Sequence, residues 1–474
     1  MSQTITIDPV TRLEGHGKIT IQLNDQGEVE NANFHVTQVR GFERFAQGRP
    51  YYEMPSLMAR ICGICPVSHL IASAKACESI MSVKIPHTAA QLRRMLNLAQ
   101  TVQSHALSFF YLSSPDLLLG MESDPTARHI FGVVAAKPEL GRAGVALRRF
   151  GQHIIELLGN KRIHPGWVVP GGVTEPLASA KRDEILAMIP EAYANIKLAL
   201  TAYKPIAESF QPEIEVCANF PSLYLGLINE DESVEFTDGA LRLIDAKGEI
   251  VEDGITATRF NEVIGEAVEP YSYTKFAYYK PLGYPAGSYR VGPLARLNIA
   301  KTMGTPLADW ELGQFKQLAI GPVQSSFHYH HARLIDILYG IEKIEEILSD
   351  PRILDTHVRA TAGVNRLEGS GQAEAPRGTL NHHYKVDENG LITWANLVIA
   401  TGQNNNAMNI GVLQAAKHYI KKGKFTEGIL NRVEAVVRTF DPCLSCSTHA
   451  LGQMPLVLTL LNADGEQVDQ VVRN

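Results

Sequence analysis

Apolar residues recur at three- and four-residue spacing through several long stretches of this chain, and those stretches predict its helices. Residues 88–112 place Leu92, Met95, Leu96, Ala99, Val102, Ala106 and Phe109 on one face. Residues 138–158 repeat the pattern with Leu140, Gly144, Leu147, Gly151, Ile154 and Leu158, and the two glycines predict close approach of a second helix. Residues 181–208 and 327–348 extend it, the latter with Leu334, Leu338, Ile341, Ile344 and Leu348 inward. Elsewhere the period shortens. Residues 4–7, 18–23 and 29–36 are rich in β-branched positions, and Asn24-Asp25-Gln26-Gly27 supplies turn chemistry, so a small N-terminal β-unit is expected within 1–40. Residues 383–386 and 391–401 flank Asp387-Glu388-Asn389-Gly390 and predict a hairpin. Glycine and proline breaks, a β-rich run at 241–244 and aromatic residues at 271–284 assign 211–307 to a peripheral α+β lobe. In the tail, 456–461 and 468–472 around Ala463-Asp464-Gly465 predict another hairpin.

The expected class is therefore mainly α with small β units (α+β), a central long-helix bundle carrying peripheral β-hairpins. Residues 41–210 and 308–380 form its helical core, and 381–449 a hairpin plus a C-terminal cysteine motif. Length alone would divide 474 residues into several domains, but the cysteine pairing described next argues that 1–449 is one integrated unit.

Composition narrows the function. A net charge of -6 without a basic stripe argues against nucleic-acid binding. No run of about 18 apolar residues predicts a membrane span, and Met1-Ser2-Gln3-Thr4-Ile5 does not read as a secretory signal, so a soluble, cytoplasmic protein is expected. Six cysteines are too few for a disulfide scaffold. Four of them form two pairs, in Arg60-Ile61-Cys62-Gly63-Ile64-Cys65-Pro66-Val67-Ser68-His69 and Asp441-Pro442-Cys443-Leu444-Ser445-Cys446-Ser447-Thr448-His449. Cys77 and Cys217 remain, and read as small buried hydrophobes.

Two residues between cysteines let both sulfurs face one point, so two such pairs make a four-thiolate site. A transition-metal catalytic centre, a structural zinc site and a dithiol redox site all use this spacing. Zinc ribbons usually place their pairs about 15–20 residues apart, whereas nearly the whole chain intervenes here, which favours a catalytic metal. His69 stands four residues beyond Cys65, one helical turn on, where its ring can donate to a thiolate; a satisfied core histidine is the alternative. On residue chemistry alone Arg12-Leu13-Glu14-Gly15-His16 reads as a surface turn, Glu43 as a solvated charge and Glu374-Ala375-Pro376-Arg377-Gly378 as a weak motif. His328-Tyr329-His330-His331 opens an amphipathic helix and reads as surface or interface packing rather than a metal site.

The two cysteine motifs resemble the signatures of nickel-iron hydrogenase large subunits, and the resemblance runs from Ile7 to the last residues. The start Asp8-Pro9-Val10-Thr11-Arg12, the Glu374-to-Gly378 segment, the run Ala400-Thr401-Gly402-Gln403-Asn404-Asn405 and the end Cys443-Leu444-Ser445-Cys446-Ser447-Thr448-His449-Ala450 resemble the bidirectional, NAD-linked branch. The resemblance implies the large-subunit fold and a reversible hydrogenase that splits and forms dihydrogen. Cys62 and Cys443 would bind nickel terminally, while Cys65 and Cys446 would bridge nickel to an iron carrying carbon monoxide and cyanide. Glu14 would relay protons from the terminal cysteine, His69 would donate to a bridging thiolate, and Arg377 and Asp441 would shape the pocket. Glu43, the Leu397 carbonyl and His449 would hold magnesium. Many relatives carry an aspartate near the centre where this chain has Ser104.

No cysteines remain for an iron-sulfur cluster and no dinucleotide fingerprint is present. The implied partners are therefore a diaphorase module that binds flavin and NAD, together with an iron-sulfur small hydrogenase subunit. Maturation factors and an endopeptidase cutting between His449 and Ala450 are implied too, with 450–474 removed and His449 held short of the magnesium position until then. The competing class is a non-catalytic subunit related to the quinone-site subunit of respiratory complex I, whose members lack both cysteine pairs.

Overall fold

A computed structural model describes residues 3–450, 454 and 456–473 of the chain. The helix His87–Ala106 continues into a π-helical turn, Leu107–Ser113, and packs against Pro138–Gly159 and Tyr329–Ser349. Contact with Pro138–Gly159 is close for the reason the glycines suggest: a β-carbon at Gly144 would overlap the Phe110 ring, and one at Gly151 the Ala99 carbonyl. Ser179–Ser209, the longest helix, flanks this bundle. The cysteine helix Pro66–Met81 lies against it on one side and against a three-stranded antiparallel sheet on the other.

That sheet is made of Glu368–Ala375, Gly378–Val386 and Ile392–Val398. Only Pro376 and Arg377 connect its first two strands, because Ala375 pairs with Gly378. Its first strand presses on the cysteine helix through Gly369 and Gly371, where any β-carbon would overlap helix backbone at Ala76 and Ala72. The N-terminal strands Gln3–Ile7, Gly17–Leu23 and Val29–Val36 form an antiparallel sheet as expected. Residues 211–307 contribute the strands Leu223–Ile228, Ala240–Ile244 and Ile250–Ile255, and a small apolar cluster around Leu225, Leu241 and Phe260 that Val398 and Ala400 join. One continuous apolar core runs from Ile7 to Cys446.

Three features depart from the periodicity reading. The strand expected over 391–401 ends at Val398, and a 20-residue helix, Ala400–Tyr419, begins where Asn404, Asn405 and Asn409 turn inward. A second helix, Glu427–Phe440, and the strand Glu368–Ala375 add to it. His328, His330 and His331 are buried rather than on the surface, their rings against Phe327, Phe109, Tyr203 and Phe315. Burial pushes His330 down to about 3, so it stays neutral. Of the tail, Leu456–Leu461 and Gln467–Arg473 pair as an antiparallel hairpin; the expectations for 451–453, 455 and 474, and for Met1 and Ser2, lie outside the described residues.

A fully buried ionic chain ties the bundle to the sheet. Arg296 donates through Nη2 to Asp336 Oδ2 at 2.5 Å and through Nη1 to Glu374 Oε2 at 2.6 Å; His105 Nε2 lies 3.2 Å from Asp336. Truncating Arg296 to methionine strands two carboxylates, and urea unfolding of Arg296→Met should show a loss of roughly 3–5 kcal/mol.

Candidate metal centre

Each cysteine pair is presented by the entry to a helix. Cys62 is extended, Cys65 caps Pro66–Met81, and Pro66 occupies the first turn, where its missing N–H costs nothing. On the other side Asp441 adopts a left-handed conformation that stops Glu427–Phe440, and Cys443 begins the short helix Leu444–Ser447. The Cys443 N–H donates to Thr401 Oγ1 at 2.9 Å, anchoring this turn on the helix that sequence periodicity does not reveal.

All four sulfurs lie within 4.8 Å of one another and are buried. Cys62 and Cys443 are 3.3 Å apart, Cys65 and Cys446 3.4 Å, and Cys443 and Cys446 2.8 Å. Burial pushes the Cys443 and Cys446 thiols well up, whereas a hydrogen bond from Cys443 lowers Cys62, which favours protons on the C-terminal pair. A metal ion would have to displace the remaining protons.

Glu14 reaches this cluster because Gly15, at φ +90°, turns the chain against Leu444, where a β-carbon would sit 2.6 Å from Leu444 Cβ. The Glu14 carbonyl accepts from Leu444 N at 3.1 Å, and Glu14 Oε2 accepts from Ser445 N at 3.0 Å and from Cys443 Sγ at 3.2 Å. The Arg12 side chain pins the loop from below, pairing with Asp116 Oδ1 at 2.5 Å.

Arg377, from the two-residue loop of the sheet, donates through Nη2 to Asp441 Oδ1 at 3.1 Å, while its Nη1 and Asp441 Oδ2 have no partner. Burial works against the Arg377 charge, but Asp441 and the cysteines outweigh it and hold it well above the usual range. A buried cation with a free N–H beside four sulfurs fits a metal centre that bears anionic ligands, and four soft sulfurs fit nickel and iron. Ser104, which stands where many relatives carry an aspartate, is buried with its hydroxyl unpartnered.

His69 lies on the cysteine helix with Nε2 3.5 Å from Cys446 Sγ and Nδ1 3.1 Å from His382 Nε2. Burial pushes it down to about 4. Neither His382 nor Thr401 is indicated by a sequence motif; a His-x-Tyr pair on one face of a strand was the available signal.

Two of the residues expected at magnesium, Glu43 and His449, meet, and the third, Leu397, is joined to them through its N–H rather than the carbonyl expected to bind the ion. Glu43 Oε1 accepts from Leu397 N at 2.8 Å and lies 2.9 Å from His449 Nδ1. Burial would raise Glu43, but His449 and Lys275 outweigh it and hold the carboxyl below its usual range. Lys275 Nζ, 3.8 Å from Glu43 Oε2, competes for the same carboxylate. His449 meets this carboxylate where the chain runs on into Ala450. The backbone explains why: Thr448 O accepts from Arg40 N and Gly41 N, and His449 O from Glu43 N.

Cys77 and Cys217 sit away from the cluster. Cys77 Sγ donates to the Tyr51 carbonyl at 3.1 Å, and burial pushes Cys217 up to about 12. Serine at either position should leave nickel content unchanged in metal analysis of the purified protein.

A family model described as nickel-dependent hydrogenase matches residues 40–124 and 227–449, and one described as HoxL-like matches residues 4–39. The chain is 40% identical to the NAD-reducing hydrogenase HoxS subunit beta of Cupriavidus necator over the whole of both chains. It is also 40% identical to a chain of the vhc F420-non-reducing hydrogenase of Methanococcus voltae, covering 96% of this chain and 97% of that one. A crystal structure of an NAD+-reducing [NiFe]-hydrogenase in the H2-reduced state superposes with a TM-score of 0.92 at 42% identity, covering 94% of this chain and 99% of the other.

Proposed function

This chain belongs to the nickel-dependent hydrogenase family, and on that premise we propose that it is the catalytic subunit of a reversible hydrogenase coupled through partner subunits to NAD(H). The observation that carries the reading is the convergence of four buried cysteine sulfurs, with Glu14 Oε2 3.2 Å from Cys443 Sγ. Cys62, Cys65, Cys443 and Cys446 would hold nickel and an iron bearing carbon monoxide and cyanide. When bound, that centre would supply the Lewis acidity and redox capacity for heterolytic splitting of dihydrogen.

The chain's own residues perform the proton chemistry. Cys443 Sγ serves as the base, and Glu14 Oε2 takes the proton from it and carries it away from the cluster. Arg377, held by Asp441, presents Nη1 to anionic ligands and keeps the pocket electropositive. His69 Nε2 donates to the Cys446 sulfur and moderates its basicity. Glu43, the Leu397 carbonyl and His449 would hold magnesium, whose preference for oxygen ligands suits the carboxylate and the carbonyl.

Electrons would leave through an iron-sulfur small subunit to a flavin- and NAD-binding diaphorase module, in the cytoplasm. This rests on the similarity to an NAD-reducing enzyme and on there being no helix among the described residues long and apolar enough to cross a membrane. Dedicated maturation factors would assemble the centre, and an endopeptidase would remove 450–474. Because His449 already contacts Glu43, the cut would serve to free the docked end from the tail rather than to bring the histidine in.

The decisive experiment is metal analysis and acceptor-specific assay of the native complex. One nickel and one non-cluster iron per chain, with dihydrogen-dependent reduction of NAD, are expected; stoichiometric zinc would overturn the metal assignment. Intact mass of the nickel-loaded protein should end at His449, and retention of the tail in active enzyme would refute the processing step.

A further inference from the structure

One surface of the helical bundle carries charge that the metal centre does not use. Along the helix Pro138–Gly159, where the first turn of Ser179–Ser209 meets it, runs an open groove of about 840 Å³ lined by Tyr111, Arg148, Arg149, Glu156, Arg162 and Lys181. Four of these residues are cations and one is a carboxylate, in a chain whose net charge is -6. That carboxylate is already engaged: Glu156 Oε2 accepts from Arg162 Nε at 2.8 Å and lies 3.9 Å from His153 Nδ1. His153 Nε2 in turn lies 2.7 Å from Glu184 Oε1. Arg148 sits over the Tyr111 ring at 5.2 Å, and neither it, Arg149 nor Lys181 is paired with a carboxylate among the described residues.

Cations gathered along one groove repel one another, and an incoming anion relieves that repulsion. Lys181 sharpens the effect, because it stands in the first turn of its helix, where the helix dipole disfavours a positive charge. Apolar side chains lie among the cations: Val145 is 46% exposed and Ile163 52%. Such a surface fits a protein segment that bears both carboxylates and apolar residues, since arginine pairs with a carboxylate in a forked geometry and the exposed aliphatic groups gain from being covered. Nucleic acid fits poorly, because the chain as a whole is acidic.

The position of the groove indicates which partner brings that segment. Ile163, at one end of it, is followed by His164, whose Nδ1 donates to the Ala59 carbonyl at 2.9 Å, on the stretch that leads into Cys62. Between the two cysteines of this first pair, Gly63 and Ile64 reach the surface. A subunit seated over that loop to take electrons from the cluster therefore lies beside the groove. We propose that the groove docks an acidic, amphipathic segment of the iron-sulfur subunit, with the arginines and Lys181 steering it and Val145 and Ile163 seating its apolar residues. The proposal deepens the electron route given above and rests on it.

The test is carbodiimide cross-linking of the native complex, which joins a lysine amine to a carboxylate in direct contact, followed by peptide mass spectrometry. Lys181 should be joined to an aspartate or glutamate of the iron-sulfur subunit. In parallel, Arg149→Glu combined with Lys181→Glu should keep the nickel content of the chain yet weaken its retention of the iron-sulfur subunit by about 10-fold or more at low salt, because each reversal replaces attraction by like-charge repulsion. Arg149→Lys combined with Lys181→Arg, which keeps both charges, should retain the subunit as the unaltered chain does. Unchanged retention in the charge-reversed chain overturns the proposal, as does a Lys181 cross-link to the flavin- or NAD-binding subunits alone. Should the charge-reversed chain fail to fold, absence of the Lys181 cross-link from the unaltered complex overturns it instead. An unaltered complex that contains no iron-sulfur subunit would refute the electron route itself, and this proposal with it.

Discussion

Serine at any one of Cys62, Cys65, Cys443 or Cys446 should reduce nickel and non-cluster iron to background and abolish dihydrogen turnover. A serine hydroxyl is a harder and far less acidic donor than a thiol, so it stays protonated where a charged soft ligand is required. The geometry sharpens the expectation, because all four sulfurs lie within 4.8 Å of one another and none has a spare neighbour of its own kind. The other two cysteines are bonded elsewhere, Cys77 to the Tyr51 carbonyl and Cys217 near Thr439. Metal analysis of the four variants beside Cys77→Ser and Cys217→Ser is the measurement. A cluster variant that keeps stoichiometric nickel would remove that residue from the ligand set.

Glu14→Gln should retain both metals yet lower turnover and hydrogen-deuterium exchange by about 10²- to 10⁴-fold, the range over which a positioned proton-transfer group typically acts. Glutamine has the same shape, and its carbonyl oxygen can still accept from Ser445 N, the bond that Glu14 Oε2 makes at 3.0 Å. What it loses is a carboxylate able to take a proton from Cys443 Sγ. Metal content and electron transfer through partner clusters should be unchanged, which separates this defect from loss of the centre. Exchange at the unaltered rate would assign the proton relay to another residue.

Much of this architecture is visible in sequence wherever an element has one wet and one dry face. His87–Ala106, Pro138–Gly159 and Tyr329–Ser349 keep apolar residues at helical spacing because only one side of each meets the bundle. Ala400–Tyr419 escapes the same reading because its inward positions are polar. Asn404 Oδ1 accepts from Val291 N, Asn409 Oδ1 from Phe34 N, and Gln403 pairs with Tyr289 and Thr379, so amides occupy places that periodicity reserves for leucine. The buried His328 and His330 mislead for a related reason, since burial pushes both imidazoles down and an uncharged ring packs against Phe327 as an apolar group does. At the site, the cysteines and Glu14 are legible through their motifs. Thr401, His382 and Tyr384 are not, because each acts through a residue distant in sequence and has meaning only once the sheet and the cysteine helix are packed together.

The two halves of the cysteine cluster are 381 residues apart, and Glu14 is 429 residues from the sulfur it contacts. Contacts of such separation are the slow ones in folding, because a long chain must be ordered before they form. On the ribosome the second pair follows the first by a few tens of seconds if elongation runs at about 5–20 residues per second. A nascent chain therefore carries two exposed thiols without their partners for most of its synthesis. For the proposed centre the order of events follows: its loading would belong after translation, to a chain whose two ends have met, and the early Cys62–Cys65 turn would spend that interval without its partner thiols.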